Sequence, residues 1–272
     1  MKNDKVLITL GCSHTEGVGS YDLSDVSDKE MAIYKAQGWV PIPFYQENLD
    51  NFLKGSWGSH LQEKIGASTF YNVGLGGDSN SGQAKLFYDA VELLDLESKD
   101  VLVVFLMTYS HRFSYYKNGI PATVPFGEDN PYIKEHLKFI SPNVEFNSVC
   151  EQYFYLRTVT NLCKAKGFQF CIATVGEDDG LYELLTDDLK KSFIKEDIFQ
   201  KYVDNSNYPH FQSKVCGHLN SDGYEEVATQ FFTRILKKYP NFCKDKLVEL
   251  YNEPLEYTKI PLNREQNRLK LP

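Results

Sequence analysis

Two widely separated residues carry the chemistry in this chain. Ser13 lies in Gly11-Cys12-Ser13-His14-Thr15-Glu16-Gly17, directly after the apolar run Lys5-Val6-Leu7-Ile8-Thr9-Leu10. His218 lies near the other end, in Gly217-His218-Leu219-Asn220-Ser221-Asp222-Gly223-Tyr224, where a final helix begins. A serine hydroxyl is a weak nucleophile until a neighbouring imidazole takes its proton, so the pair reads as nucleophile and general base of an acyl transfer. Between them, Asn72-Val73-Gly74-Leu75-Gly76-Gly77-Asp78-Ser79 is a glycine-rich stretch in which backbone can approach a ligand closely. Each feature also has a plain structural reading. Ser13 could be a polar turn residue, His218 a helix-end residue packed on a sheet, and Gly76 and Gly77 a tight turn.

The elements that must position these residues alternate. Buried strands are predicted at 5–10, 69–74, 100–107 and 168–175, continuous apolar runs that suit strands covered on both faces. Helices are predicted over Gly58 to Ile65, Ser81 to Leu94, Ser148 to Lys166 and Ser221 to Lys238. In the last, Tyr224, Val227, Ala228, Phe231, Phe232, Ile235 and Leu236 recur at three and four, one apolar face. The alternation predicts a three-layer α/β/α fold with a doubly wound, mostly parallel sheet of the flavodoxin-like type. In such sheets ligands bind beyond the carboxyl ends of the strands, which is where Ser13 falls.

One domain is expected over residues 1–243, with insertions at 18–56 and 108–147, followed by a C-terminal extension over 244–272. Both insertions follow strand ends and are rich in aromatic residues and proline, which favours an ordered wall beside the site. The stretch from Glu253 to Pro272 is polar with three prolines and reads as an extended arm that could hold a neighbouring subunit in a homo-oligomer, or equally as a simple frayed tail.

The chain has 272 residues, 42% of them hydrophobic and 14% aromatic, ample for a packed core. Its net charge of −8 argues against nucleic acid or an anionic membrane as main partner, because either would want clustered Lys and Arg. The amino terminus holds too short an apolar run for a signal-peptide core, so the expected location is cytoplasmic. Six single cysteines without a C-x-x-C fit free thiols in a reducing compartment. The pairs Cys12-x-His14 and Cys216-x-His218 could in principle form a tetrahedral zinc site, but the spacing is uncommon and no metal is expected. Cys12 as nucleophile is a similarly remote alternative. Gly74-x-Gly76-Gly77 lacks the Lys-Ser/Thr of a phosphate loop and the spacing of a dinucleotide fingerprint, and no cofactor is expected.

Taken together, the segments resemble the blocks of the SGNH (GDSL-type) hydrolase superfamily, over roughly residues 5 to 238. Gly11 to Gly17 is similar to the family's first block, Gly-Asp-Ser followed by a glycine, with Cys12 in the usual place of Asp. Asn72 to Ser79 is similar to the second block and puts Gly77 at the oxyanion-hole glycine. His218 to Tyr224 is similar to the last block, with His218 as general base. The resemblance implies that the Ser13 and Gly77 N–H groups hold the tetrahedral oxyanion.

Two departures stand out. The family's middle strand ends in Gly-x-Asn-Asp, whose Asn is the last oxyanion donor, whereas here the strand ends Leu106-Met107-Thr108-Tyr109-Ser110-His111-Arg112. Thr108 falls at the Asn position by register, and Asn80 is the second candidate for the missing donor. The family also carries an Asp two or three residues before the His, where this chain has Cys216 and Val215. Asp222 sits at a helix start, where a capping role explains it. Arg112 and His14 are candidate substrate-binding residues, Arg112 toward a carboxylate or phosphate, although Arg112 could equally be a solvated loop charge.

The expected function is a serine-dependent ester hydrolase, an esterase or deacylase using a Ser-His dyad, with small acyl groups on a carbohydrate as the favoured substrates. The alternative is a catalytically weakened binding or structural protein that kept the fold and lost the acid. The orienting carboxylate of such triads can be worth about four orders of magnitude in rate.

Overall fold

Alternate residues along three adjacent strands point to opposite sides of one parallel sheet, and each side is sealed by its own pair of helices. In the computed structural model, residues 4–20, 53–76, 78–108, 113–117, 120–124, 144–175, 180–195, 198–199, 218–243 and 256–257 are described. The strands are β1 (Lys5–Leu10), β2 (Thr69–Asn72), β3 (Asp100–Met107), β4 (Phe113–Lys117), β5 (Ile120–Val124), β6 (Gln169–Thr174) and β7 (Glu256–Tyr257). The helices are α1 (Ser13–Glu16), α2 (Trp57–Ile65), α3 (Asn80–Leu93), α4 (Val144–Lys166), α5 (Leu181–Leu184), α6 (Asp187–Lys190), α7 (Ser221–Lys238) and α8 (Pro240–Cys243).

The main sheet has the order β6-β3-β1-β2-β7, and its pairings are parallel. Ile8 faces Tyr71 on one neighbour and Val103 on the other. Read from β2, the run β2-β1-β3-β6 is the 2-1-3-4 order of flavodoxin-like sheets. The chain moves from β1 to β2 and then returns to β3 on the far side of β1. The ends of β1 and β3 therefore diverge at the topological switch point.

The period of two along each strand decides which core a residue joins. Val6, Ile8, Val101, Val103, Phe105 and Ile172 pack with Phe87, Ala90, Leu156 and Val159 of α3 and α4. Leu7, Leu102, Val104, Leu106, Cys171 and Ala173 pack with Trp57 and Leu61 of α2 and Val227 and Phe231 of α7. The expected three-layer α/β/α architecture is thus the one observed. Trp57 stacks on Phe231 at 4.7 Å between ring centroids, joining α2 to α7.

Helix ends follow side-chain chemistry. Ser56 accepts from Ser59 N to start α2, Ser79 accepts from Gly82 N to start α3, and Asn220 accepts from Gly223 N to start α7. The apolar stripe of α7 is narrower than its spacing suggests. Tyr224, Val227, Ala228, Phe231 and Ile235 are buried, but Phe232 is only partly covered and Leu236 is 41% exposed.

Some boundaries shift. α4 begins at Val144 rather than Ser148, inside the expected insertion. The same insertion contributes the antiparallel hairpin β4-β5. Two residues of the expected C-terminal arm form β7, which lengthens the sheet beside β2. Of the first insertion, residues 18–20 and 53–56 are described; the rest of it, and of the second insertion all but 108, the hairpin and the start of α4, lie outside the described residues, as does the remainder of the arm.

Candidate active site

The turn after β1 admits only glycine at its first position. Gly11 has φ +153°, and a Cβ there would lie 2.2 Å from Thr15 Oγ1 and 2.7 Å from the Leu106 carbonyl of β3. That close approach lets the chain turn at once into α1, whose first hydrogen bonds run from Thr15 N and Glu16 N to Cys12 O at 2.9 and 3.0 Å. Gly17, in the left-handed region at φ 93°, ends the helix after four residues. Ser13 thereby becomes the first residue of α1, at the carboxyl end of β1 and at the switch point beside β3. Its N–H lies ahead of the helix's own hydrogen bonds.

The other partner arrives from α7, more than two hundred positions along the chain. Tyr224, fully buried, donates its hydroxyl proton to Val18 O at 2.7 Å. Gly19, at φ +96°, lies directly beneath His218, where a Cβ would come 2.8 Å from His218 Cβ and 2.6 Å from Leu219 O. The chain leaving α1 and the chain entering α7 are therefore clamped together. The result is a distance of 2.8 Å between His218 Nε2 and Ser13 Oγ, within the reach of about 2.6–3.2 Å that proton transfer to a base requires.

The candidate substrate-binding residue His14 is buried beside this pair. It is 6% exposed. Its ring lies between Phe199, 5.1 Å away at 52°, and His218, 4.8 Å away at 38°.

The glycine-rich segment after β2 is sewn to α1. Asn72 donates from Nδ2 to Thr15 O at 2.7 Å and accepts from Gly74 N at 2.9 Å. Gly76 N donates to Glu16 Oε2 at 2.5 Å, and Glu16 is fully buried. A Cβ on Gly76 would lie 2.7 Å from that carboxylate oxygen and 3.6 Å from Ser13 Cβ. The second segment thus reaches the serine. Gly77 itself lies outside the described residues.

Behind the serine turn runs a buried polar relay. Gly11 N donates to Gln83 Oε1 at 2.9 Å, Gln83 Nε2 donates to Asp78 Oδ2 at 2.9 Å, and Ser79 N donates to Asp78 Oδ1 at 2.8 Å. Gln83 is 0% and Asp78 7% exposed, so these groups have little water to fall back on. A Cβ on Gly82 would collide with the Asp78 carboxylate, which explains a glycine inside the first turn of α3.

The two candidates for the missing oxyanion donor behave differently. Asn80 directs Nδ2 to both Thr108 O, at 3.0 Å, and Gln152 Oε1, while its Oδ1 accepts from Thr108 N at 2.8 Å. Both of its N–H groups are committed, so Asn80 serves as a strut between α3, the end of β3 and α4 rather than as a ready donor. Among the described residues the buried Thr108 hydroxyl has no hydrogen-bond partner, which leaves a donor at the end of β3. Asp222 is exposed in the first turn of α7, where its charge complements the helix dipole. Arg112, Val215 and Cys216 lie outside the described residues.

His60 of α2 approaches Ser221 Oγ at 3.2 Å and so ties α2 to the start of α7. Burial lowers its pKa below the ordinary value of 6.5, against the raising influence of Glu225, Glu63 and Asp222. The described cysteines are free, and burial pushes the Cys163 and Cys171 thiols up to about 12, which keeps them protonated and unreactive.

Sequence reasoning missed Gln83, Glu16 and Phe199. Gln83 and Glu16 are polar residues at i+4 and i+3 from block residues, a spacing that puts them on the same helix face. Nothing local marks Phe199. Among the described residues, no group of three or more His, Cys, Asp or Glu is placed to hold a metal ion. No helix among them is long and apolar enough to cross a membrane. The chain matches no protein-family model, and no curated protein sequence is similar to it.

Proposed function

We propose that this chain is a divergent SGNH (GDSL-type) serine hydrolase that cleaves small acyl esters, with acetyl groups on a carbohydrate as the favoured class. The observation that carries the reading is the 2.8 Å separation of Ser13 Oγ and His218 Nε2, contributed by opposite ends of the chain at the switch point of the sheet. The free state of the described cysteines supports a reducing, cytoplasmic setting.

In the mechanism, His218 Nε2 takes the Ser13 hydroxyl proton while Oγ bonds to the ester carbonyl carbon, and the carbonyl π electrons move onto oxygen. The Ser13 N–H, the Gly77 N–H and the Thr108 hydroxyl are the donors for that oxyanion, each worth about 3 kcal/mol when well aimed. Collapse breaks the bond to the alcohol, which leaves with the proton from His218. Water then attacks the acyl-serine, with His218 again as base, releasing the acid and restoring Ser13.

A fluorophosphonate probe tests this directly. Ser13 should be labelled, and both labelling and short-chain aryl ester turnover should vanish in Ser13→Ala and His218→Ala. Absence of labelling in the folded wild type, beside a reactive control esterase, would leave the non-catalytic binding protein as the better reading.

A further inference from the structure

We infer that Glu16 is a positioning residue for the oxyanion site, its buried carboxylate holding Gly76, and through it the glycine segment, against Ser13. This inference rests on the hydrolase reading and adds to it a residue outside the proposed dyad and donors. It begins from a physical need: backbone donors serve an oxyanion only where their place beside the nucleophile is fixed before the reaction, and a misplacement of about 1 Å can cost about a hundredfold in rate.

The segment after β2 is tied to the serine turn in steps. Val73 N donates to Thr9 O at 2.9 Å and Leu75 N donates to Gly11 O at 3.0 Å, both ties of main chain to main chain. At Gly76 the tie passes to a side chain, because its N–H donates to Glu16 Oε2 at 2.5 Å. Here the backbone lies against the nucleophile. A Cβ on Gly76 would come 3.6 Å from Ser13 Cβ and 3.8 Å from Ser13 Cα. Glu16 follows Ser13 by one turn of α1, so clamp and nucleophile share a face of the same short helix and move as one unit. The bond is also dry, since Glu16 is fully buried. The Gly76 N–H is thereby given to Glu16 and not to substrate, and the proposed oxyanion donor, the N–H of Gly77, is the next one along the chain.

Two substitutions separate the position of the acceptor from its charge. Glu16→Asp keeps the charge but withdraws the acceptor by one methylene, and should lower kcat for an aryl acetate about ten- to hundredfold with KM within about twofold, the pattern of a contact that matters in the transition state. Glu16→Gln removes the charge but keeps the length and an acceptor oxygen, and should hold kcat within about threefold of wild type. In parallel, the Gly76 amide followed by NMR should exchange slowly with solvent in wild type and Glu16→Gln and lose that protection in Glu16→Asp. An equal fall of kcat in both variants, a loss confined to Glu16→Gln, wild-type kcat in Glu16→Asp, or a rise in KM at constant kcat would each overturn the inference. If Glu16→Asp does not fold, Glu16→Gln decides alone: a protected Gly76 amide with kcat kept supports the role, and loss of either, or of the fold, overturns it. Failure of the wild type to label or turn over would instead strike the hydrolase reading, while the Gly76 amide still decides whether Glu16 holds the segment.

Discussion

Replacing Gln83 by Met isolates the relay that holds the serine turn. Methionine matches glutamine in length and flexibility but offers neither the acceptor that Gly11 N uses at 2.9 Å nor the donor that Asp78 uses at 2.9 Å. Gln83 is wholly buried, so water cannot replace it without opening the helix-sheet interface. Stranding one backbone N–H costs about 1–3 kcal/mol, and withdrawing a donor from a buried carboxylate costs about 1.5–3 kcal/mol. The combined loss is about 2.5–6 kcal/mol, a large share of the marginal stability of any domain. For a chain of this size that corresponds to a fall in Tm of about 5–24 °C. Urea unfolding and calorimetry measure the loss, and the rate of fluorophosphonate labelling reads its effect on Ser13, two residues from Gly11. Gln83→Glu provides the internal check. It keeps an acceptor for Gly11 but faces Asp78 with a second carboxylate, so its deficit should shrink as pH falls and one of the two takes a proton. Stability within about 0.5 kcal/mol of wild type for Gln83→Met, with unchanged labelling, would refute the relay as a support of the turn.

Two further outcomes are expected. Gly76→Ala places a methyl 2.7 Å from the buried Glu16 carboxylate that holds the Gly76 N–H, so it should cost about 1–3 kcal/mol and slow the labelling of Ser13; a neutral result would show that the 72–76 segment yields freely. The lowered pKa of His60 means that the unfolded chain takes up its proton first as pH falls, so the contribution of neutral His60 is complete above 6.5 and is lost as pH drops through that value toward the folded pKa. Urea midpoints between about pH 7.5 and 5.5 should therefore fall more steeply for wild type than for His60→Gln, and equal slopes would contradict the assignment.

The fold was legible because its signal is local. Val6, Ile8, Val103 and Phe105 belong to runs that are apolar at nearly every position, which suits a strand buried on both faces, and both faces are indeed covered. The hairpin β4-β5 and the short helices α5 and α6 escaped notice because their residues carry no sustained period. The strand β7 escaped because two residues of parallel pairing depend on what β2 offers, not on their own composition.

The site divides in the same way. Residue types and spacing singled out Ser13, His218 and the glycines by themselves, since a turn that tight and a backbone approach that close exclude other residues at positions such as Gly11 and Gly76. The roles of the polar residues around them were not determined there. Asn80 reads from the sequence as a candidate oxyanion donor, and in the structure both of its N–H groups engage Thr108 and Gln152; His14 reads as a candidate substrate ligand, and in the structure its ring packs against His218. A side chain's chemistry is set by its type, but the partner that uses it is set by where other elements pass. Only the tertiary structure brings α7 back to α1 through Tyr224 and Gly19, and so turns two isolated residues into a pair 2.8 Å apart.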